Sequence, residues 1–154
     1  METVLVNMCM IYDREKDKIL VLDKVKKHGW EGLTFVGGHV EDGEVLYDSC
    51  VREVFEETGL TVKNLKLKGT VTWVAESNDT RELGFLYYTE DFSGELIKEN
   101  IEGKLFWMGI EEFKNADGKS YSIDKILDLY LNDKHSELMI RWNKNDEIEL
   151  EEFF

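Results

Sequence analysis

The stretch Gly38 to Leu60, GHVEDGEVLYDSCVREVFEETGL, constrains this chain more than any other. It opens on a glycine turn and continues as a helix expected from about Glu44 to Thr58, with Gly59 as the residue that ends it. At about 100° per residue, Glu53, Glu56 and Glu57 fall within an arc of roughly 100°. The apolar set Tyr47, Cys50, Val51, Val54 and Phe55 occupies the neighbouring and opposite arc. A helix so patterned buries one face in a core and presents a carboxylate cluster beside it.

The plain reading of such a cluster is a solvated face on an amphipathic helix. Two costs weigh against it. Glu53 and Glu57 are like charges at i,i+4 with Glu56 between them, and such pairs destabilise a helix by a few tenths of a kcal/mol each, to order of magnitude. They also stand near the helix C-terminus, where the macrodipole disfavours negative charge. A hard divalent cation such as Mg²⁺ or Mn²⁺ offsets both, because clustered carboxylate oxygens are the ligands it selects.

The spacing of this stretch resembles the Nudix box, G-x5-E-x7-R-E-U-x-E-E-x-G-U with U a bulky aliphatic residue. Gly38, Glu44, Arg52, Glu53, Val54, Glu56, Glu57, Gly59 and Leu60 stand at its defined positions. The flanks Asn7–Tyr12 and Phe92–Trp107 are similar, more loosely, to the MutT-like branch with its 8-oxo-dGTP diphosphatases. The resemblance implies a Mg²⁺-dependent hydrolase of a nucleoside diphosphate linked to another group, with Mn²⁺ as a substitute ion. It implies that Glu53, Glu56 and Glu57 hold one or more ions, with a backbone carbonyl of Gly37 or Gly38 as a further oxygen ligand. Arg52 would pair with and orient Glu53, and Glu44 would support the loop–helix junction. This branch often places one more glutamate over the metals, about five residues before an aromatic strand residue. Glu102 precedes Trp107 by that interval, with Glu99 in reserve. The general base stays open between Glu53 and Glu102. In the family the residue before the glycine pair is commonly proline; here it is Val36.

Composition narrows the partners. A chain of 154 residues with 42% hydrophobic content is expected to form one domain, 1–154, with a real core. A formal charge of −14 makes it a poor binder of nucleic acid backbone or anionic membrane, so no stable nucleic acid complex and no membrane partner are expected. A nucleotide substrate is compatible with that charge where metal ions and a local basic patch neutralise its phosphates. The N-terminus METVLVNMCMIYD alternates like a strand and lacks the basic start of a signal peptide. Cys9 and Cys50 both sit on apolar faces and read as buried thiols, which suits a cytoplasmic protein. The chain contains no proline, so its turns must rely on Gly, Asn and Asp.

Along the chain, Thr3–Asp13 reads as a central strand covered on both faces, and Lys18–Asp23 as its hairpin partner. Asn7 either bonds locally at a bulge or reaches into a pocket to read a base edge. Lys24, Lys26, Lys27 and His28 form the dense basic cluster, and Lys24 or Lys26 is a candidate contact for substrate phosphate. Leu33–Val36 reads as a short strand. Trp73 and Trp30 are either core packing or base-stacking platforms. Asn115, Asp117 and Ser120 are further polar candidates for base selection. Ser120 or Ser122 is expected to cap a helix at Ile123–Leu131, and residues 133–154 to add a C-terminal hairpin.

Taken with the resemblance, the expected fold is α/β, a Nudix-type α/β/α sandwich with a mixed, curved sheet. The expected reaction converts a nucleoside triphosphate, 8-oxo-dGTP or another purine nucleotide, to the monophosphate and pyrophosphate. The alternatives are ADP-ribose, a nucleotide sugar, a dinucleoside polyphosphate or capped RNA as substrate, or a non-catalytic nucleotide sensor. Monomer and homodimer are both compatible with the sequence.

Overall fold

The computed structural model describes residues 1–25 and 29–154. Strands β1 (Glu2–Asp13) and β2 (Lys18–Lys24) form the expected hairpin. Next come β3 (Gly32–Thr34) and β4 (Val36–His39), which replace the single strand expected over Leu33–Val36. The chain changes partner at Phe35, so that β3 pairs with β2 and β4 with β1. The Phe35 ring holds that crossover, stacked on Phe113 with centroids 5.3 Å apart and edge-on to Tyr130 at 5.7 Å.

Helix α1 (Leu46–Thr58) starts later than expected and leaves Glu44 in the turn before it. Gly59 ends the helix at φ 79°, its N–H donating to the Phe55 carbonyl. Then follow β5 (Leu60–Lys63), β6 (Lys66–Ala75), β7 (Thr80–Thr89), β8 (Asp91–Gly94), β9 (Glu99–Asn100) and β10 (Gly103–Met108). Helices α2 (Ile110–Asn115) and α3 (Ile123–Leu131) precede the C-terminal pair β11 (Glu137–Trp142) and β12 (Ile148–Phe153). In this proline-free chain Asp17, Asn64, Asp79 and Asp146 take left-handed backbone at loop positions, as short Asx side chains can.

The main sheet runs β12-β11-β6-β7-β1-β2-β10-β9, and it is mixed: β1/β7 and β6/β11 are parallel, the other pairs along this path antiparallel. The C-terminal hairpin is therefore an extension of the sheet on β6. Alternation along β1 splits the core in two. Met10 faces a cluster with Ile123, Ile126, Leu127 and Tyr130 of α3 and Phe113 of α2. Cys9 and Ile11 face the opposite cluster, with Cys50 and Val54 of α1. The sheet lies between α1 and α2/α3, which is the α/β/α sandwich. Ser122 takes the cap position of α3 at φ 64° but makes no side-chain cap bond. Its hydroxyl instead accepts from the Trp73 indole N–H at 3.3 Å. Among the described residues no helix is long and apolar enough to cross a membrane.

Candidate active site

The site begins where β4 lies against β1. A Cβ on Gly37 would stand 2.0 Å from the Asn7 carbonyl oxygen, and one on Gly38 would stand 2.3 Å from Cδ of Glu53. Only glycine lets the backbone approach this closely. Asn7 is buried and fastens the turn to the helix. Its Oδ1 accepts from the Gly38 N–H at 3.2 Å, and its Nδ2 donates to Ser49 Oγ at 2.9 Å. Ser49 in turn donates to the Leu46 carbonyl at 2.7 Å. Asn7 is not bonded locally at a bulge: both ends of its amide are engaged by residues distant in the chain, on β4 and on α1. It also stands in the cavity wall.

Arg52 is the hub of the helix's polar face. It forks onto Glu44 at 2.8 and 3.0 Å, reaches Glu53 at 2.9 Å and Glu56 at 3.2 Å, and donates to the His39 carbonyl at 3.0 Å. A planar guanidinium can serve so many acceptors where lysine could not. The Arg52 fork and the Glu41 N–H hold the Glu44 carboxyl below its usual range. Glu53 is thereby fixed between Arg52 and the Gly38 backbone. Glu56 faces Arg52 at the surface, outside the cavity wall, whereas Glu53 and Glu57 stand in it.

Glu57 corrects one expectation. Helical spacing sets it in a carboxylate cluster beside the core-facing arc, but the fold buries most of the side chain, and its Oε2 has no hydrogen-bond partner. Burial and the Glu53 charge push its carboxyl up to about 8, against a backbone hydrogen bond from Gly37. The nearby Glu102 charge raises it further, and Lys24 opposes the rise. The structure thus brings Glu53, Glu57, Glu102 and Lys24 together at one end of one cavity. Glu102 is delivered by the turn between β9 and β10, where Asn100 Oδ1 accepts from the Glu102 N–H at 2.7 Å. Lys26 lies outside the described residues.

The cavity measures about 610 Å³ and runs from these carboxylates along the α3 side of the sheet. Its far end is aromatic. Trp73 meets Trp30 edge-on at 5.3 Å, and Trp30 meets Tyr121 edge-on at 6.0 Å. Ser120 is in the wall and donates to the Trp30 carbonyl. Asn115 and Asp117 are not among its residues; Asn115 bonds within α2, to the Glu111 carbonyl. Sequence reasoning missed Glu82, Tyr121 and Asn100. Glu82 becomes visible only through strand pairing, which sets it opposite Trp73.

Comparisons with known proteins agree with this arrangement. The NUDIX domain family model matches residues 2–148. The chain is 32% identical over 114 residues to "Uncharacterized Nudix hydrolase YvcI" of Bacillus subtilis, covering 70% of each protein. It is 31% identical over 105 residues to the NAD-capped RNA hydrolase NudC of Vibrio parahaemolyticus, which covers 68% of this chain but 39% of NudC. This chain thus spans about two fifths of that relative. Among solved structures, the mutator MutT protein from Bacillus halodurans superposes with a TM-score of 0.79 at 28% identity, covering 97% of both chains. The MutT NUDIX hydrolase from Burkholderia pseudomallei shares the fold, with a TM-score of 0.73 at 18% identity over 84% of this chain and 98% of that one. With the domain matched over residues 2–148 and the box residues gathered at one end of a cavity, the chain belongs to the Nudix family of hydrolases, which act on nucleotide substrates.

Proposed function

We propose that this protein hydrolyses a nucleoside triphosphate to the nucleoside monophosphate and pyrophosphate, with Mg²⁺ as its ion and Mn²⁺ as a substitute. The observation that carries this reading is the polarity of the cavity: carboxylates and Lys24 at one end, Trp73 and Trp30 at the other. Phosphates plus a cation suit the first end, and a flat base suits the second.

The residues fit a divalent cation. Oε2 of Glu57 is a buried acceptor without a hydrogen-bond partner, and it stands beside two further carboxylates in the wall. A cation satisfies such a group, which otherwise costs about 1–3 kcal/mol or more. Among the described residues no three acidic, His or Cys side chains form a ready-made cage. That suits an ion which keeps several waters and shares substrate phosphate oxygens. Glu53, Glu57 and Glu102 would hold it, with a glycine-turn carbonyl, and Glu56 at the rim. When bound, the ion would neutralise phosphate charge and make water more acidic.

The chain's own residues supply the rest. Attack of water on phosphorus forms one P–O bond and breaks the anhydride P–O bond, so that pyrophosphate leaves and one proton is released. Either Glu53, which Arg52 orients, or Glu102, on its turn, would accept that proton; both line the cavity. Lys24 offers its charge to the phosphates from the end of β2. The burial of this end keeps bulk water from screening these charges.

Chromatographic analysis of the products formed from a nucleotide panel with Mg²⁺ tests the reading, because only the triphosphates yield pyrophosphate and the other compounds split into two phosphorylated fragments. The panel holds nucleoside triphosphates, ADP-ribose, a nucleotide sugar, a dinucleoside polyphosphate and NAD-capped RNA. Pyrophosphate release from the triphosphates at the highest kcat/KM is expected. Turnover confined to one of the other compounds would replace the proposed substrate.

A further inference from the structure

At the aromatic end of the cavity stands one carboxylate that the reaction does not use. Glu82 of β7 pairs directly with Trp73 of β6. Partners in an antiparallel pair share a face, so Glu82 projects on the side of Trp73, and both stand in the cavity wall. The next position of β7 on that face is Gly84. A Cβ there would come within 3.3 Å of the Trp73 ring and 3.0 Å of Val71. Glycine leaves the indole lying against bare backbone next to the carboxylate. Glu82 is half-buried, and no hydrogen bond or ion pair to another described residue occupies it. It pairs across β1 with Val4, three residues from Asn7, which pairs with Gly38. At 3.3 Å per strand residue that sets it about 10 Å along the sheet from the glycine turn. The sugar of a nucleotide fits between.

An ionised carboxylate only accepts hydrogen bonds. Trp73 itself is a core side chain, only 9% exposed, so the carboxylate beside it in the cavity wall selects a base by its edge. Guanine offers two adjacent donors, N1–H and the 2-amino group, which suit two carboxylate oxygens. Hypoxanthine offers N1–H alone. Adenine sets its 6-amino donor next to the N1 acceptor, and uracil sets an N–H between two carbonyls. Both place a lone pair against the negative charge.

Resting on the pyrophosphohydrolase reading, we propose that Glu82 is the base-selecting residue of this cavity and that it favours guanine-type bases. A glutamine at this position presents one acceptor and one donor, the complement of adenine, so its substitution carries a sign and not only a loss.

The test compares kcat/KM for GTP, ITP, ATP and UTP in the parent and in Glu82→Gln. The parent is expected to prefer GTP over ITP by roughly tenfold, and over ATP and UTP by roughly a hundredfold, as sites left with mismatched polar groups do. In Glu82→Gln the GTP/ATP ratio falls at least tenfold, through loss on GTP and gain on ATP. A parent that treats the four within threefold, or a variant that keeps the parent's ratios, overturns the proposal. If neither protein cleaves any triphosphate, the proposed reaction fails and binding decides the inference. By calorimetry GMP then binds the parent more tightly than AMP, and the variant loses that preference; equal binding of GMP and AMP by the parent overturns it. Matching melting temperatures for the two proteins serve as the fold control.

Discussion

Asn100 donates through Nδ2 to the backbone carbonyl of Glu57 at 2.7 Å. With Oδ1 the same side chain accepts from the N–H groups of Glu102 and Gly103 at 2.7 and 3.1 Å. The last turn of a helix leaves carbonyls without intrahelical partners. Here one of them is joined by a single amide to the turn that carries Glu102. The position of Glu102 relative to Glu57 is thereby set by Asn100. Replacing Asn100 with Ala should cost about 1–3 kcal/mol of stability through lost buried bonds. It should also lower kcat by roughly tenfold. Because it acts through Glu102, Asn100→Ala should add little to the loss caused by Glu102→Gln. Full additivity in that double-mutant cycle would show that Asn100 does not act through Glu102.

The glycine pair offers a contrast between two neighbouring substitutions. A Cβ at Gly37 meets main chain, the Asn7 carbonyl, so Gly37→Ala must displace β1 or β4. A Cβ at Gly38 meets the tip of the Glu53 side chain, which can swing away. Gly37→Ala should therefore lower the melting temperature by several degrees, as about 1–3 kcal/mol of overpacking does. Gly38→Ala should melt close to the parent yet lose activity by roughly a hundredfold, because Glu53 leaves its place. The check is melting temperature and kcat measured on both variants. Equal melting shifts would contradict the geometry.

Crowded carboxylates that a cation relieves couple ion binding to stability. Mg²⁺ or Mn²⁺ should raise the melting temperature beyond a matched NaCl control, since an ion bound to the native state alone stabilises by mass action. At a hundredfold excess over Kd the gain is about 2.7 kcal/mol. Activity should vanish in EDTA and return with the ion. Glu57→Gln should lower kcat by orders of magnitude and reduce the shift. A melting curve indifferent to divalent ions would count against the site.

The helix and its acids were legible in sequence because their pattern is local: 3.6-residue periodicity and fixed spacing survive without knowing the fold. Lys24, Trp73 and Glu102 were legible as residue types near the right elements, and the fold places all three in one wall. Glu82 and Asn100 were not. Each depends on a partner distant in the chain, Glu82 on pairing with Trp73 and Asn100 on a carbonyl of α1. The crossover at Phe35 was hidden for the same reason, since one apolar run served two strands on different partners. The burial of Glu57 also escaped, because helical spacing shows which way a side chain points but not what later covers it.

Glu57 gives the metal-free protein a pH dependence of definite sign. In the unfolded chain its carboxyl titrates near the ordinary value of 4.5, and in the folded protein near 8. Below 4.5 both states hold the proton and Glu57 contributes nothing to the balance. Between 4.5 and 8 the unfolded chain has released the proton while the folded one keeps it, so stability falls as pH rises. Above 8 both have released it and the loss levels off. The whole effect is on the order of a few kcal/mol. Glu44 acts in the opposite sense: its folded-state carboxyl is held low, and the stability it adds is lost on acidification. Denaturant unfolding in EDTA across pH 4 to 9 should therefore show the parent weakening toward alkaline pH. Glu57→Gln should remove most of that slope, leaving the variant more stable than the parent at pH 8 and equal to it near pH 4. A variant that tracks the parent across the range would mean that Glu57 titrates normally, and that its burial carries no cost for a cation to relieve.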